Sequence, residues 1–204
     1  MTTDPTPPPQ PPASACQLPL DDNGAPIPWI TCWHPTFLGS MERALEPGTG
    51  DELVQVALCG CMPGTGQPEL DTLCPDRQRQ AVRERRCSFC GHQLHPDTPS
   101  IALTDQPHPD RLSDIGLHRD CAHYCLHHPT AEHEAPTHVL LLDPWDAQTA
   151  RLVLVAQSLR RGHRVTSEPA ETDAAVIYTF VVPTQVTSMT VDEWLALYTP
   201  DHSS

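Results

Sequence analysis

Apolar residues in this chain come in short bursts separated by stretches rich in proline and glycine. Leu53–Leu58 (LVQVAL) has the valine and leucine content of a buried strand. Ser100–Thr104 and Val139–Leu142 predict two more, and Ala174–Val182 (AAVIYTFVV) is the strongest strand candidate. Trp29–Trp33 predicts a shorter one at the start of the folded part.

Helices are predicted where the punctuation supports them. Cys74-Pro75-Asp76 places proline at a first helical position and a carboxylate at the positive end of the dipole, so a helix should run to about Arg86. His118–His127 predicts a second, stopped by Pro129. Trp145–Arg161 predicts a third, with Arg160 and Arg161 in its last turn and Gly162 just beyond. Thr190 and Glu193 have capping-box spacing ahead of a short helix through Tyr198. Between Asp105 and Gly116 proline and aspartate predict a loop.

Composition limits how much core these elements can build. Only 38% of the 204 residues are hydrophobic and 5% aromatic, while proline occurs 24 times. Burial is therefore modest for the length, and loops take a large share. Nine prolines fall within residues 1–28, which predicts a disordered or polyproline tail over residues 1–25. Residues 26–134 are expected to form one module, with residues 135–204 a C-terminal α/β segment packed on it.

The formal charge is −14, and every one of the 12 basic residues is arginine. Such an excess repels nucleic acid and anionic membranes at long range. Residues 1–16 have neither the basic nor the apolar region of a secretory signal, and no segment reads as a membrane span. The expected location is the cytoplasm, where structural disulfides are rare and paired cysteines more often hold metal.

With 9 cysteines and 12 histidines, something besides hydrophobic burial is expected to hold the fold. Zinc takes about four ligands in a tetrahedron, commonly as two close pairs joined by folding. Cys87-x-x-Cys90 is one pair, and Gly91 allows the tight turn around it. The second lies in GLHRDCAHYC, where His118, Cys121 and Cys125 share one helical face. His118 and Cys125 would stand roughly 10 Å apart along a helix, so one ion cannot easily take both. The pair is His118 with Cys121, or else Cys121 with Cys125. The first is preferred, because the helix N-terminus favours thiolates. The expected ligands are thus Cys87, Cys90, His118 and Cys121, with zinc as the cofactor. A redox role for Cys87 and Cys90 is disfavoured, since a thioredoxin-like pair sits between a strand and a following helix.

A looser group comprises Cys32-x-His34, Cys59-x-Cys61 and Cys74. One-residue spacing is less diagnostic, and lone cysteines on strands are usually small core residues. A second metal site is the less favoured reading here. The histidines at 123, 127, 128 and 133 read as a solvated face and loop.

The stretches AVRERRCSFCG and LHRDCAHY, with GAPIPW upstream, resemble a group of uncharacterised zinc-knuckle proteins from high-GC Gram-positive bacteria and their phages. The shared positions are Pro26, Pro28 and Trp29, then Ala81 to Gly91, then His118, Cys121, Ala122 and Tyr124. That group closes its helix with Cys-Pro, where this chain has His128-Pro129, which argues against Cys125 as a ligand. The resemblance implies a zinc-bound knuckle and helix, and brings no activity with it.

The expected fold is α+β, a zinc-stapled, treble-clef-like knuckle–helix module embedded in a small mixed α/β domain. The expected function is a non-catalytic zinc-binding protein that docks a protein partner or acts as an accessory module. The alternatives are nucleic-acid binding and a degenerate His-Asn-His-type nuclease. Between the two pairs His108, set between prolines, is the candidate for such a nuclease, and no Asp-His or His-His step is present there. Five arginines against two acids leave +3 over residues 76–86, which reads as a solvated helix face before it reads as a nucleic-acid site.

Overall fold

The structure is a computed structural model of the chain. It describes residues 9–34, 42–47, 53–109, 112, 116–128, 135–142, 151–158, 175–182 and 186–198. The elements follow in the order β1 (Thr31–His34), β2 (Glu42–Pro47), β3 (Leu53–Leu58), β4 (Gln67–Leu73), α1 (Pro75–Glu84), β5 (Ser100–Thr104), α2 (Arg119–His127), β6 (His138–Leu142), β7 (Arg151–Ser158), β8 (Ala175–Val182), β9 (Val186–Thr190) and α3 (Val191–Leu197). The fold is mixed α/β. All the pairings described are antiparallel: a three-stranded sheet in the order β5-β6-β9, and the pairs β1-β4, β2-β3 and β7-β8.

The main core sits between the three-stranded sheet, the cysteine knuckle, α2 and α3. Phe89, Ile101, Leu117, Tyr124, Val139 and Trp194 are buried together there, with Cys87, Cys90 and Cys121 among them. β6 runs through the middle of its sheet, which is why its HVLLL carries almost no polar residue. α3 starts with the expected capping box, Thr190 and Glu193 each bonding the other's backbone N–H. It then docks on α2. Arg119 donates to the Leu197 carbonyl at 3.0 Å, the Tyr198 hydroxyl donates to Asp120 at 3.0 Å, and His123 stacks on the Tyr198 ring.

Three expectations fail. The helix expected at Trp145–Arg161 is in part a strand: Arg151–Ser158 pairs along its whole length with β8, from Arg151 opposite Val182 to Ser158 opposite Ala175. Its sequence, RLVLVAQS, suits a pleated surface, and the unpaired edge of the strong strand β8 demands a partner. Arg160, Arg161 and Gly162 lie outside the described residues.

The tail expected to be disordered over residues 1–25 is structured from residue 9 onward. Ala13–Ala15 forms a short 3-10 turn. Asp21 closes the next turn by accepting from the backbone N–H groups of Asn23 at 2.9 Å and Ala25 at 2.7 Å. Ala15 is 1% exposed in the main core, and Leu18 packs beside it. The prolines here pre-set turns and do not keep the chain open. Residues 1–8 lie outside the described set.

The arginine-rich helix is no solvated face throughout. Arg77 and Arg79 are 7% and 5% exposed, and Arg79 pairs with Asp76 one turn away. Arg86 pairs with Glu84 at 2.6 Å and donates to the Gly91 carbonyl at 2.9 Å. Of the three arginines that make up the local +3 once these pairs are formed, Arg77 is buried, Arg85 half-buried and Arg83 exposed.

Candidate metal centre

α1 is built to deliver the knuckle. Its last turn closes through Arg85, the one non-glycine residue at positive φ (53°) among those described, and Arg86 N–H bonds the Ala81 carbonyl at 2.9 Å. The chain then folds back on itself. Cys87 N–H bonds the His92 carbonyl at 2.8 Å, Gly91 N–H bonds the Cys87 carbonyl at 2.8 Å, and Leu94 N–H bonds the Arg85 carbonyl at 2.7 Å. These bonds hold both cysteine sulfurs on the inner side of a tight loop.

Gly91 makes the loop possible. Its φ is +75°, and a Cβ there would come 2.7 to 2.9 Å from three atoms of the Trp29 ring. That ring cannot swing away cheaply, because Trp29 N–H is tied to the Phe89 carbonyl at 2.7 Å. Gly91→Ala should therefore destabilise the protein by roughly 2–4 kcal/mol, combining left-handed strain with overpacking. Thermal unfolding checks this; an unchanged melting temperature would contradict it.

The second half comes from the start of α2. His118 is its N-cap residue and Cys121 lies in its first turn. The structure brings Cys87, Cys90, His118 and Cys121 together, with their ligand atoms all within 4.8 Å of one another. Cys87 and Cys121 are fully buried. The His118 ring is oriented from both sides: Nε2–H donates to the Gln93 carbonyl at 3.1 Å, while Nδ1 faces the Cys90 sulfur at 3.3 Å. A carbonyl that fixes one nitrogen as N–H leaves the other to bind metal, the arrangement usual around ligating histidines. Cys125 is not in this group. It lies half-buried against the apolar core one turn further on, as the helix spacing requires.

Without metal, the cluster shares protons unevenly. Cys90 is held ionised by hydrogen bonds from Cys121 and Cys87. Hydrogen bonds to the Cys87 and Cys90 sulfurs raise His118 to about 10, against the opposing effect of burial. Burial pushes the Cys87 thiol well up, helped by Cys121 and Cys90. At Cys121 the hydrogen bond with Cys87 pulls downward, yet Cys90 and burial outweigh it and leave the thiol at about 12. In this buried pocket only Cys90 is favoured as a thiolate, beside a His118 ring held protonated, while burial opposes ionising Cys87 and Cys121. A divalent ion would displace these protons and take their place.

Cys32, Cys59 and Cys61 also converge, their sulfurs within 4.8 Å of one another. The favoured expectation for Cys32 and Cys59, isolated core cysteines on strands, therefore does not hold. Both groups could hold a metal ion. The side chain of His34 lies outside the described residues.

The histidine run is not a solvated face throughout, either. His123 is half-buried between His127 and the Trp194 and Tyr198 rings, and His128 stacks on Tyr124. His127 is exposed, and His133 lies outside the described residues.

Fold and site together define a mixed α/β protein with cysteine and histidine clusters able to hold metal. No family model, no curated protein and no solved structure matches the chain. Its chemistry is therefore read from its own residues.

Proposed function

We propose that the chain is a non-catalytic zinc-binding protein, a treble-clef-like module that presents a surface to a protein partner in the cytoplasm. The observation that carries the reading is the convergence of Cys87, Cys90, His118 and Cys121, two from a knuckle and two from a helix start. Three thiolates and one imidazole suit zinc and fill its tetrahedron. Catalytic zinc keeps a position open for water, and a four-ligand set leaves none.

One further observation favours a structural role. The three cysteine ligands are embedded in the main apolar core, so the metal would join knuckle, α2 and sheet at their common centre. Among the described residues, no helix is long and apolar enough to cross a membrane. The nucleic-acid reading weakens because Arg77 and Arg79 are buried and Arg86 is paired. His108, the residue a nuclease reading would need, sits on the exposed loop after β5. The likeness to zinc-knuckle proteins of high-GC bacteria and phages agrees with the same module.

The test has two parts. Protein purified without chelator should carry tightly held zinc and should leave plasmid DNA intact with magnesium or manganese. Zinc well below half an equivalent per chain would sink the metal reading. DNA cleavage abolished by His108→Ala would replace the non-catalytic reading with the nuclease one.

A further inference from the structure

A second group of four cysteines is assembled from three parts of the chain. Cys32 lies on β1, Cys59 and Cys61 flank Gly60 just after β3, and Cys74 is the N-cap of α1. The bulge in β1 between Thr31 and Cys32, and the bond from Cys74 N–H to the Ile30 carbonyl at 2.8 Å, bring Cys32 and Cys74 to one end of the β1-β4 pair.

Their sulfurs meet one another. Cys32 and Cys59 are 3.5 Å apart, Cys61 and Cys74 are 3.6 Å apart, and Cys74 also hydrogen-bonds Cys59. Zinc–sulfur bonds of about 2.3 Å in a tetrahedron put neighbouring sulfurs roughly 3.8 Å apart. A disulfide requires about 2.05 Å. Cys32, Cys59 and Cys61 all lie within 4.8 Å of one another, a spacing suited to one ion, and Cys74 adjoins that group through Cys61 and Cys59.

Two observations separate this group from ordinary buried cysteines. Among the described residues none of the four belongs to an apolar cluster, whereas Cys87, Cys90 and Cys121 sit inside one. Cys59 and Cys61 are only half-buried, on a loop whose Gly60 and Met62 are exposed, so hydrophobic burial does not account for their convergence. The second observation is Arg77, a buried guanidinium. It donates to the Thr31 carbonyl, to the Cys61 carbonyl at 3.4 Å and to the Cys61 sulfur at 3.0 Å, while its Nε has no hydrogen-bond partner among the described residues. A buried cation is costly unless a negative charge lies beside it. Four thiolates around a divalent zinc carry a net −2, and Arg77 stands where it would offset part of that charge. Asp76 also braces the loop, accepting from Cys59 N–H at 2.7 Å.

We infer that Cys32, Cys59, Cys61 and Cys74 form a second, all-thiolate zinc site, with Arg77 as the cation that balances its charge. The site pins β1, the loop after β3 and the start of α1. The same helix leads to the knuckle at its other end, so one ten-residue element spans the two metals.

Metal counting on the full chain by elemental analysis and native mass spectrometry tests this. The wild type should carry two zinc ions, and the Cys59→Ser/Cys61→Ser double variant one. In the cobalt-substituted wild type, sulfur-to-metal charge transfer should have the intensity expected of seven thiolates and not three. That measurement needs no variant to fold. In alkylation mapping of the zinc-loaded wild type, Cys16 should react at once, and Cys32, Cys59, Cys61 and Cys74 only after chelation. One zinc per chain with Cys59 and Cys61 freely alkylated would overturn the second site, as would a mass two hydrogens short for a disulfide among the four. A Cys87→Ser/Cys121→Ser variant that keeps one zinc, alongside a Cys59→Ser/Cys61→Ser variant that keeps none, would leave the second site standing and remove the first.

Discussion

Cys87→Ser and Cys121→Ser are each expected to strip zinc from the knuckle and to lower the melting temperature by roughly 10 °C or more, if the variants fold at all. Both sulfurs are fully buried at the meeting point of knuckle, α2 and the three-stranded sheet. Serine removes the ligand and leaves a hydroxyl in an apolar pocket, so the loss of the metal and an unsatisfied polar group act together. Domains of this size have only about 5–15 kcal/mol of stability in total, and the hydrophobic content here is low. Cys125→Ser tests the ligand choice. Its sulfur packs against the same core but is outside the cluster, so zinc should stay and stability should fall by about 1 kcal/mol or less. Cys16→Ser, at an exposed position, should change neither and serves as the control. If Cys87→Ser and Cys121→Ser both behave like Cys16→Ser, the knuckle holds no structural metal.

How much of this was legible in the sequence depended on how local each signal is. The Cys-x-x-Cys-Gly turn, the helix start at Pro75 and the Thr190–Glu193 capping box are written in adjacent residues, and the structure has all three. That His118 and Cys125 cannot both reach one ion was readable too, because helix rise alone separates them by two turns, and the structure groups His118 with the three cysteines. The strand at Arg151–Ser158 was not readable locally. Arg160, Arg161 and Gly162 imitate a helix end, and only pairing with β8, far along the chain, identifies the segment as a strand. The same limit hid the second cysteine group: Cys32, Cys59 and Cys74 stand on or beside different strands, and nothing in a Cys-x-Cys spacing says which strands will meet. Arg77, directly after Cys74-Pro75-Asp76 on a helix start, is buried, and its contacts with Thr31 and Cys61 become visible only once these strands and loops meet.

The two cysteine groups have a common plan that explains how so lean a sequence holds a shape. Each takes two cysteines from a short loop and places a further ligand at the N-cap of a helix, Cys74 for α1 and His118 for α2. Residues 29–32 touch both groups. Trp29 and Ile30 bond the Phe89 and Ser88 carbonyls of the knuckle, the Ile30 carbonyl accepts from Cys74, and Cys32 joins the other sulfurs. Between the two groups, Ile30 and Ala81 are buried together, with Trp29, Leu73 and Val82 around them. A stretch of this kind takes up strain from either end, so losing one metal should weaken the other site as well.

Deleting residues 1–24 is the second change expected to have a large effect, although a proline-rich terminus would ordinarily be dispensable. Ala15 is 1% exposed in the core that surrounds Cys121, Leu18 packs against that core, and the Ser14 hydroxyl lies 3.7 Å from the Cys121 sulfur. Removing the segment would open this side of the knuckle to water and expose the apolar surface that Ala15 and Leu18 cover. The expected cost is about 2–4 kcal/mol, a fall of roughly 5–10 °C in melting temperature. Zinc should also pass to a competing chelator faster, because the buried thiolates gain access to solvent and to protons. Deleting residues 1–8 removes none of these contacts and should leave both measurements where they were. The comparison separates packing from length. If both deletions melt and release zinc like the full chain, Ala15 and Ser14 contribute nothing to the site they cover.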